Sequence, residues 1–353
     1  MAKNLSIVAQ GISGDDGHLL GYNVSDNGVF TPAIGDVVRG TSATYLAQDG
    51  TIKTAPPNVA RVDYTNGVAE LLLEPESTNL VPYSENFSQW SAFSGQSITP
   101  NYAIAPNGKN DASRIVFSSS NQLLKQTTTL PINVVCTASV FIKGTKGETI
   151  QITGGGIDDL KTLSGEWERI ETTQTSASPD IIINTYGGST ARDVLLWGAQ
   201  QERISYATSY IPNIYAGVST RSADSMTNFG SSQIIDSQSG VLLFEGYFFE
   251  GGFGMQSSVS NFRIILGYAG SNPRKMYYYI NDSVTELISQ TYDYLKIVLK
   301  YNNGTQECYV NGVLEGTSTY STPTDLSFLD LSAFQGRIRQ LKYLPYNTDI
   351  SKL

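Results

Sequence analysis

VAELLLEPESTNL, residues Val68 to Leu80, decides how this chain is read. The apolar run Leu71-Leu72-Leu73 ends at Glu74-Pro75, and a polar turn carrying Thr78-Asn79-Leu80 follows. A second stretch fits the same pattern far downstream, DVLLWGAQQERISYATSYIP, from Asp193 to Pro212. Together the two read as the start and finish of one β-sandwich.

The composition agrees. The chain has 353 residues, room for two or three domains, with 33 Gly and 21 Tyr but only 16% charged residues. Long amphipathic helices need more Glu, Lys and Arg than this, so strands and turns are expected. A net charge of −9 with no Lys/Arg run argues against a general grip on nucleic acid or anionic membrane. No stretch approaches the roughly 18 apolar residues of a membrane span, and MAKNLSIVAQG lacks the apolar core of a signal peptide. Cys136 and Cys308 each lie in an apolar-alternating stretch and read as buried free thiols, with a metal site or a disulfide as the alternatives.

Outward from the opening stretch, residues 1–76 read as an irregular N-terminal section. Within it, AQDGT is a tight hairpin turn in which Asp49-Gly50 takes the positive-φ positions, with TYL and TIK as flanking strands. Residues 77–214 read as the first sandwich, with strands in ASRIVFS, VCTASVFIKG, ETIQITGG, WERIETTQT, DIIINTYG and DVLLWGAQQE. Residues 215–235 read as a linker. Residues 236–353 read as a second sandwich, in which Asn302-Asn303-Gly304 and Asn311-Gly312 make successive turns around the strand of CYV. The expected fold class is therefore all-β, with tandem antiparallel β-sandwiches after an irregular N-terminal section.

Several residues are candidates for chemistry. Trp90, Trp167 and Trp197 have the indoles that stack on sugars, but their contexts favour core packing. Tyr277, Tyr278 and Tyr279 in KMYYYIN are the better ligand-binding candidates, because alternation in a strand exposes one or two of the three; the alternative is cross-strand aromatic packing. Tyr206 and Tyr210 read as domain-closing residues. Asp158-Asp159, placed on a loop, suit solvation or calcium better than acid/base work, and Glu166 and Glu168 share one solvated strand face. A glycosidase needs two carboxylates roughly 5–9.5 Å apart, which sequence spacing cannot show. The single histidine, His18, has no nucleophile motif to serve, and Gly154-Gly155-Gly156 is a turn because no phosphate-loop Lys-Ser/Thr follows it. No catalytic residue, no metal ligand and no cofactor is expected, calcium being the one alternative.

The segments Ser42–Leu46, Asp49–Ile52 and Asn58–Tyr64, the two stretches quoted first, and Arg221-Ser222-Ala223-Asp224 resemble bacteriophage tail-fibre and virion-appendage proteins with a carbohydrate-binding-like sandwich. KIVLKYNNGTQECYVNGVLEG and GRIRQLKYLPYNTDIS resemble laminin-G or concanavalin-like domains, though the copy is short for that family. The resemblance implies a non-catalytic fibre or spike subunit of a virion, tail or head, assembled in the host cytoplasm. It implies docking to other virion proteins through the N-terminal section, binding to bacterial surface glycans, and a homotrimer. A purely structural capsid or tail decoration protein is the alternative, and a polysaccharide depolymerase the third reading.

Overall fold

The computed structural model describes residues 4–8, 21–24, 30–33, 36–93, 95–227, 235–257, 263–269, 275–280, 283–288, 294–319 and 325–353. The described chain is built of antiparallel strands, with two single-turn 3-10 helices, Phe87–Gln89 and Ile350–Lys352. The all-β expectation holds, and among the described residues no helix is long and apolar enough to cross a membrane.

The chain divides into two compact units, and neither is continuous in sequence. A central unit comprises Ser42–Thr54 and Glu76–Ser222; a terminal unit comprises Met1–Thr41, Ala55–Pro75 and Ala223–Leu353. Residues 1–76, read from sequence as one section, are thus shared between the two. The stretch expected as a linker pairs as strands, Ser219–Arg221 on Ser77–Asn79 and Ser225–Thr227 on Asp36–Val38.

The central unit is a sandwich of two five-stranded sheets. One has the order Ser91–Phe93, Leu123–Thr127, Asp180–Asn184, Thr149–Thr153, Asp158–Thr162. The other runs Ser97–Ala103, Ala112–Val116, Asp193–Glu202, Val135–Lys143, Glu168–Thr175. Leu124, Ile181, Ile183, Ile150 and Ile152 of the first sheet meet Ile115, Val140, Ile142, Leu196 and Ala199 of the second. The period-two alternation of TIQIT and DIIIN supplies this inward set.

The outer face of the second sheet is covered. Trp197, Tyr210, Ala105 and Ala112 form a separate cluster there, joined by Phe141, Trp167 and Ile52. Gly198 permits the cover: its φ is +62°, and a Cβ would lie 3.2–3.3 Å from the rings of Phe141 and Tyr210. Ile52 arrives on the hairpin of Ala43–Leu46 and Ile52–Ala55. Of the two residues expected at positive φ in that hairpin, only Gly50 has it (+78°), because Ala47 and Thr51 pair and widen the loop.

The terminal unit packs two sheets on one core. The larger is ordered Val313–Thr319, Thr305–Val310, Leu295–Asn302, Ser239–Glu250, Gln335–Leu344, Asn4–Val8, Gly21–Val24, Phe30–Ala33. Glu70–Leu73 pairs with the start of Gln335–Leu344 (Leu71 with Ile338, Leu73 with Gly336), and Arg61–Asp63 pairs outside it. The second sheet is Ser283–Ile288, Lys275–Ile280, Arg263–Ala269, Gly252–Ser257, Leu326–Asp330. Phe244, Leu299, Tyr301 and Cys308 from the larger sheet pack with Phe253, Met255, Leu326 and Leu329 from the smaller. Both asparagine–glycine turns form as read, with Asn303 and Gly304 at φ +43° and +86°, and Asn311 and Gly312 at +49° and +85°.

The opening stretch is where the chain passes from one unit to the other. Leu71, Leu72 and Leu73, all buried, belong to the terminal unit, not to the sandwich they were expected to begin. The second half keeps its expected place: Leu80 N donates to Gln201 O (2.9 Å), and Asn79 Nδ2 donates to the carbonyls of Ala199 (3.0 Å) and Ile211 (2.9 Å).

Candidate functional site

In the central unit the first sheet has a polar outer face bordered by exposed apolar side chains. Its registers place five residues in one row across all five strands: Phe93, Leu123, Asn184, Gln151 and Leu160. A second row reads Ser91, Lys125, Ile182, Thr153 and Asp158. Four inter-strand steps make each row about 19 Å wide. Phe93 (48% exposed) and Leu160 (47% exposed) stand at the two ends, and Ile157 beside Asp158 is also exposed.

Between those apolar ends lie the polar groups. Asn184 Nδ2 donates to Asp158 Oδ1 (3.2 Å) and to Thr153 Oγ1 (3.4 Å), and the Thr153 hydroxyl donates to the same carboxylate oxygen. Tyr186 N donates to Asn184 Oδ1 (2.9 Å), which fixes the amide's orientation. Gln151 is 8% exposed, and its Oε1 has no hydrogen-bond partner among the described residues. Gly187 beside it has φ +59°, a backbone conformation that favours glycine. A buried amide oxygen without a partner is costly, and a ligand hydroxyl reaches it only when the Gln151 side chain turns outward.

Asp180 lies at the edge of the face. Partial burial pushes its carboxyl up, but hydrogen bonds from Thr127 (2.7 Å), Lys125 (3.2 Å) and Ser178 (3.1 Å) outweigh this and hold it below the ordinary carboxylate range. Both carboxylates of the face therefore accept hydrogen bonds from the protein itself. The face thus joins an internally hydrogen-bonded polar centre to exposed apolar ends.

Of the sequence candidates, Asp158 falls on this face. Trp90 and Trp197 are buried, at 4% and 2% exposure, and Trp167 is half-buried with its Nε1 donating to Ile104 O (3.1 Å). Tyr210 is buried over Trp197, ring centroids 4.7 Å apart, and closes the second sheet as expected. Asp158 and Asp159 are in a strand, not on a loop, and Asp159 pairs with Lys161 (2.7 Å). Glu166 pairs with Lys143 (2.8 Å), and the Lys143 contact holds its carboxyl down. Cys136 and Cys308 are buried and free, and burial pushes the Cys308 thiol up to about 12. Tyr277, Tyr278 and Tyr279 fall in Lys275–Ile280, and their side chains, like His18, lie outside the described residues. No group of three or more His, Cys, Asp or Glu among the described residues could hold a metal ion.

Gln151 and Asn184 did not stand out in the sequence. Their signal was present as the outward-facing polar members of TIQIT and DIIIN. What was missing was the register that joins strands far apart in the chain.

No protein-family model and no curated protein matches the chain. Among solved structures, it is similar to domain 4 of AbnA, a GH43 extracellular arabinanase from Geobacillus stearothermophilus, in complex with arabinotriose. That match has 12% identity and a TM-score of 0.27, and covers 40% of this chain and 77% of the other. It is also similar to the N-terminal CBM22-1–CBM22-2 tandem domain of Xyn10C from Paenibacillus barcinonensis, with 10% identity, a TM-score of 0.27, and coverage of 79% of this chain and 93% of the other.

Proposed function

We propose that the protein is a non-catalytic glycan-binding protein and that the glycan lies across the outer face of the central unit's first sheet. The observation that carries this reading is the row Phe93–Leu123–Asn184–Gln151–Leu160, with a buried, unpartnered amide oxygen between exposed apolar ends. Phe93 stacks on one pyranose ring of a glycan that spans the row, Gln151 and Asp158, three and four strands away, hydrogen-bond hydroxyls further along it, and Asn184 holds Asp158 in place. Asp158 and Asp180 orient ligand and neighbours and leave the glycosidic bond intact. The sequence resemblance supplies the setting: a fibre or spike on a bacteriophage virion, homotrimeric, attached to other virion proteins and presenting this face to a bacterial surface. Several weak sites on one particle give avidity without tight single-site binding.

The test is binding of the purified chain to an array of bacterial surface glycans, with and without calcium. A specific hit is expected, weakened about tenfold or more in Gln151→Ala and in Asn184→Ala, each of which removes one buried hydrogen-bonding group. A folded wild-type chain that binds nothing on the array overturns the reading. The structural alternative then predicts that particles lacking the protein lose stability but adsorb normally.

A further inference from the structure

We infer that the terminal unit has a second, separate ligand site that takes an acidic saccharide, with the ligand carboxylate seated on Lys300. A cleft of about 470 Å³ opens on the outer face of the larger sheet, on the side away from Leu299, Tyr301 and Cys308 of the core. Cross-strand pairing lines up Lys300 with Glu307 and Thr317, and Asn302 with Thr305 and Thr319, so six polar side chains share one floor. Tyr346, 38% exposed, forms one wall.

The charges in this cleft are arranged for an incoming group. Lys300 and Glu307 are direct cross-strand partners, yet they do not form an ion pair. The Glu307 carboxylate accepts from the Tyr309 hydroxyl instead (2.8 Å). Lys300 Nζ lies 4.5 Å from the Tyr346 ring centroid, and no carboxylate among the described residues is within ion-pair range of it. A cation held over an aromatic ring, without its own anion and beside hydroxyls and an amide, suits a ligand with both a carboxylate and hydroxyl groups. A uronate-containing oligosaccharide has both: its carboxylate meets Lys300, and its hydroxyls meet Glu307, Asn302 and the threonines.

The experiment uses the full chain and oligogalacturonates, with the same oligosaccharides after carboxyl reduction as the neutral probe. Calorimetry should show binding of the acidic form, at least about tenfold weaker binding of the reduced form, and a similar loss in Lys300→Gln. Gln151→Ala, in the other unit, should leave this binding unchanged, so the inference and the proposed function fail separately. Acylation mapped by mass spectrometry gives a second readout: the acidic ligand should protect Lys300 in the wild-type chain. Absence of wild-type binding to the acidic probe overturns the inference. So does equal binding by Lys300→Gln, or Lys300 acylation at the same rate with and without ligand.

Discussion

Asp224 gathers three distant pieces of the terminal unit. Its Oδ1 accepts from Arg39 Nη1 (2.8 Å), its Oδ2 accepts from Arg61 Nη2 and from Glu74 N (2.9 Å), and its own N donates to Glu74 O (2.8 Å). Arg61 Nη1 pairs with Glu74 Oε2 (2.8 Å), and all four side chains are at most 2% exposed. Two arginines balance two carboxylates, so the desolvated charges cancel; removing one leaves an uncompensated buried cation. Asp224→Asn is expected to cost about 3–5 kcal/mol, read as a lower urea midpoint for the terminal unit. A change of under about 1 kcal/mol would mean that the pair is solvated. The Arg221-Ser222-Ala223-Asp224 motif stood out in the sequence only through its resemblance, and its role was not legible. Partners 150 and more positions away in sequence give no local pattern.

At the scale of elements, the segment after Asp193–Glu202 folds back to cover its own sheet, and Tyr210 anchors it. The Tyr210 hydroxyl lies 2.7 Å from Ser84 Oγ and donates to Glu85 Oε1 (3.0 Å). Burial raises the Glu85 carboxyl pKa, the Tyr210 hydrogen bond offsets part of this, and the Asp111 charge adds to the rise. A folded pKa above the unfolded one means that the native state holds the proton more tightly. Stability therefore falls as pH rises through that window, and the loss persists above it. Glu85→Gln keeps an oxygen to accept from Tyr210 and removes the charge. The variant should melt above the wild type at pH 7, and the difference should vanish as pH falls below the ordinary carboxylate range. A variant less stable at pH 7 would show that the charged form is the favoured one. The cover over Trp197 was legible in SYATSYIP, where both tyrosines read as closing residues. The contribution of Ile52, which reaches the same cluster from a separate hairpin, was not.

At the scale of the whole molecule, the chain leaves the terminal unit twice, for the hairpin segment Ser42–Thr54 and for Glu76–Ser222, and the longer excursion begins and ends at one place. Asp224 N bonds to Glu74 O, and just beyond, Ser77–Asn79 pairs antiparallel with Ser219–Arg221. Residues 76–222 are thus an insertion whose two ends lie side by side, a geometry that tolerates excision, and Ser42–Thr54 is a second, short insertion into the same unit. Sequence reading places boundaries where composition shifts along the chain, so it reached the all-β class and a boundary at 76/77, one residue from the passage between Pro75 and Glu76, but took residues 1–76 as one section and 215–235 as a linker. An insertion has no compositional mark, because its flanks belong to one core only through long-range pairing. Replacing residues 76–222 and residues 42–54 each with a short Gly-Ser bridge should leave a folded terminal unit with cooperative unfolding and intact Asp224 contacts. The fragment 223–353 alone should fail to fold. It lacks Arg39, Arg61 and Glu74 around Asp224, and it lacks the strand Glu70–Leu73 on Gly336 to Ile338. Circular dichroism and a urea titration of the two proteins separate the cases. A fragment 223–353 as stable as the bridged protein would mean that the first 75 residues add nothing to that core.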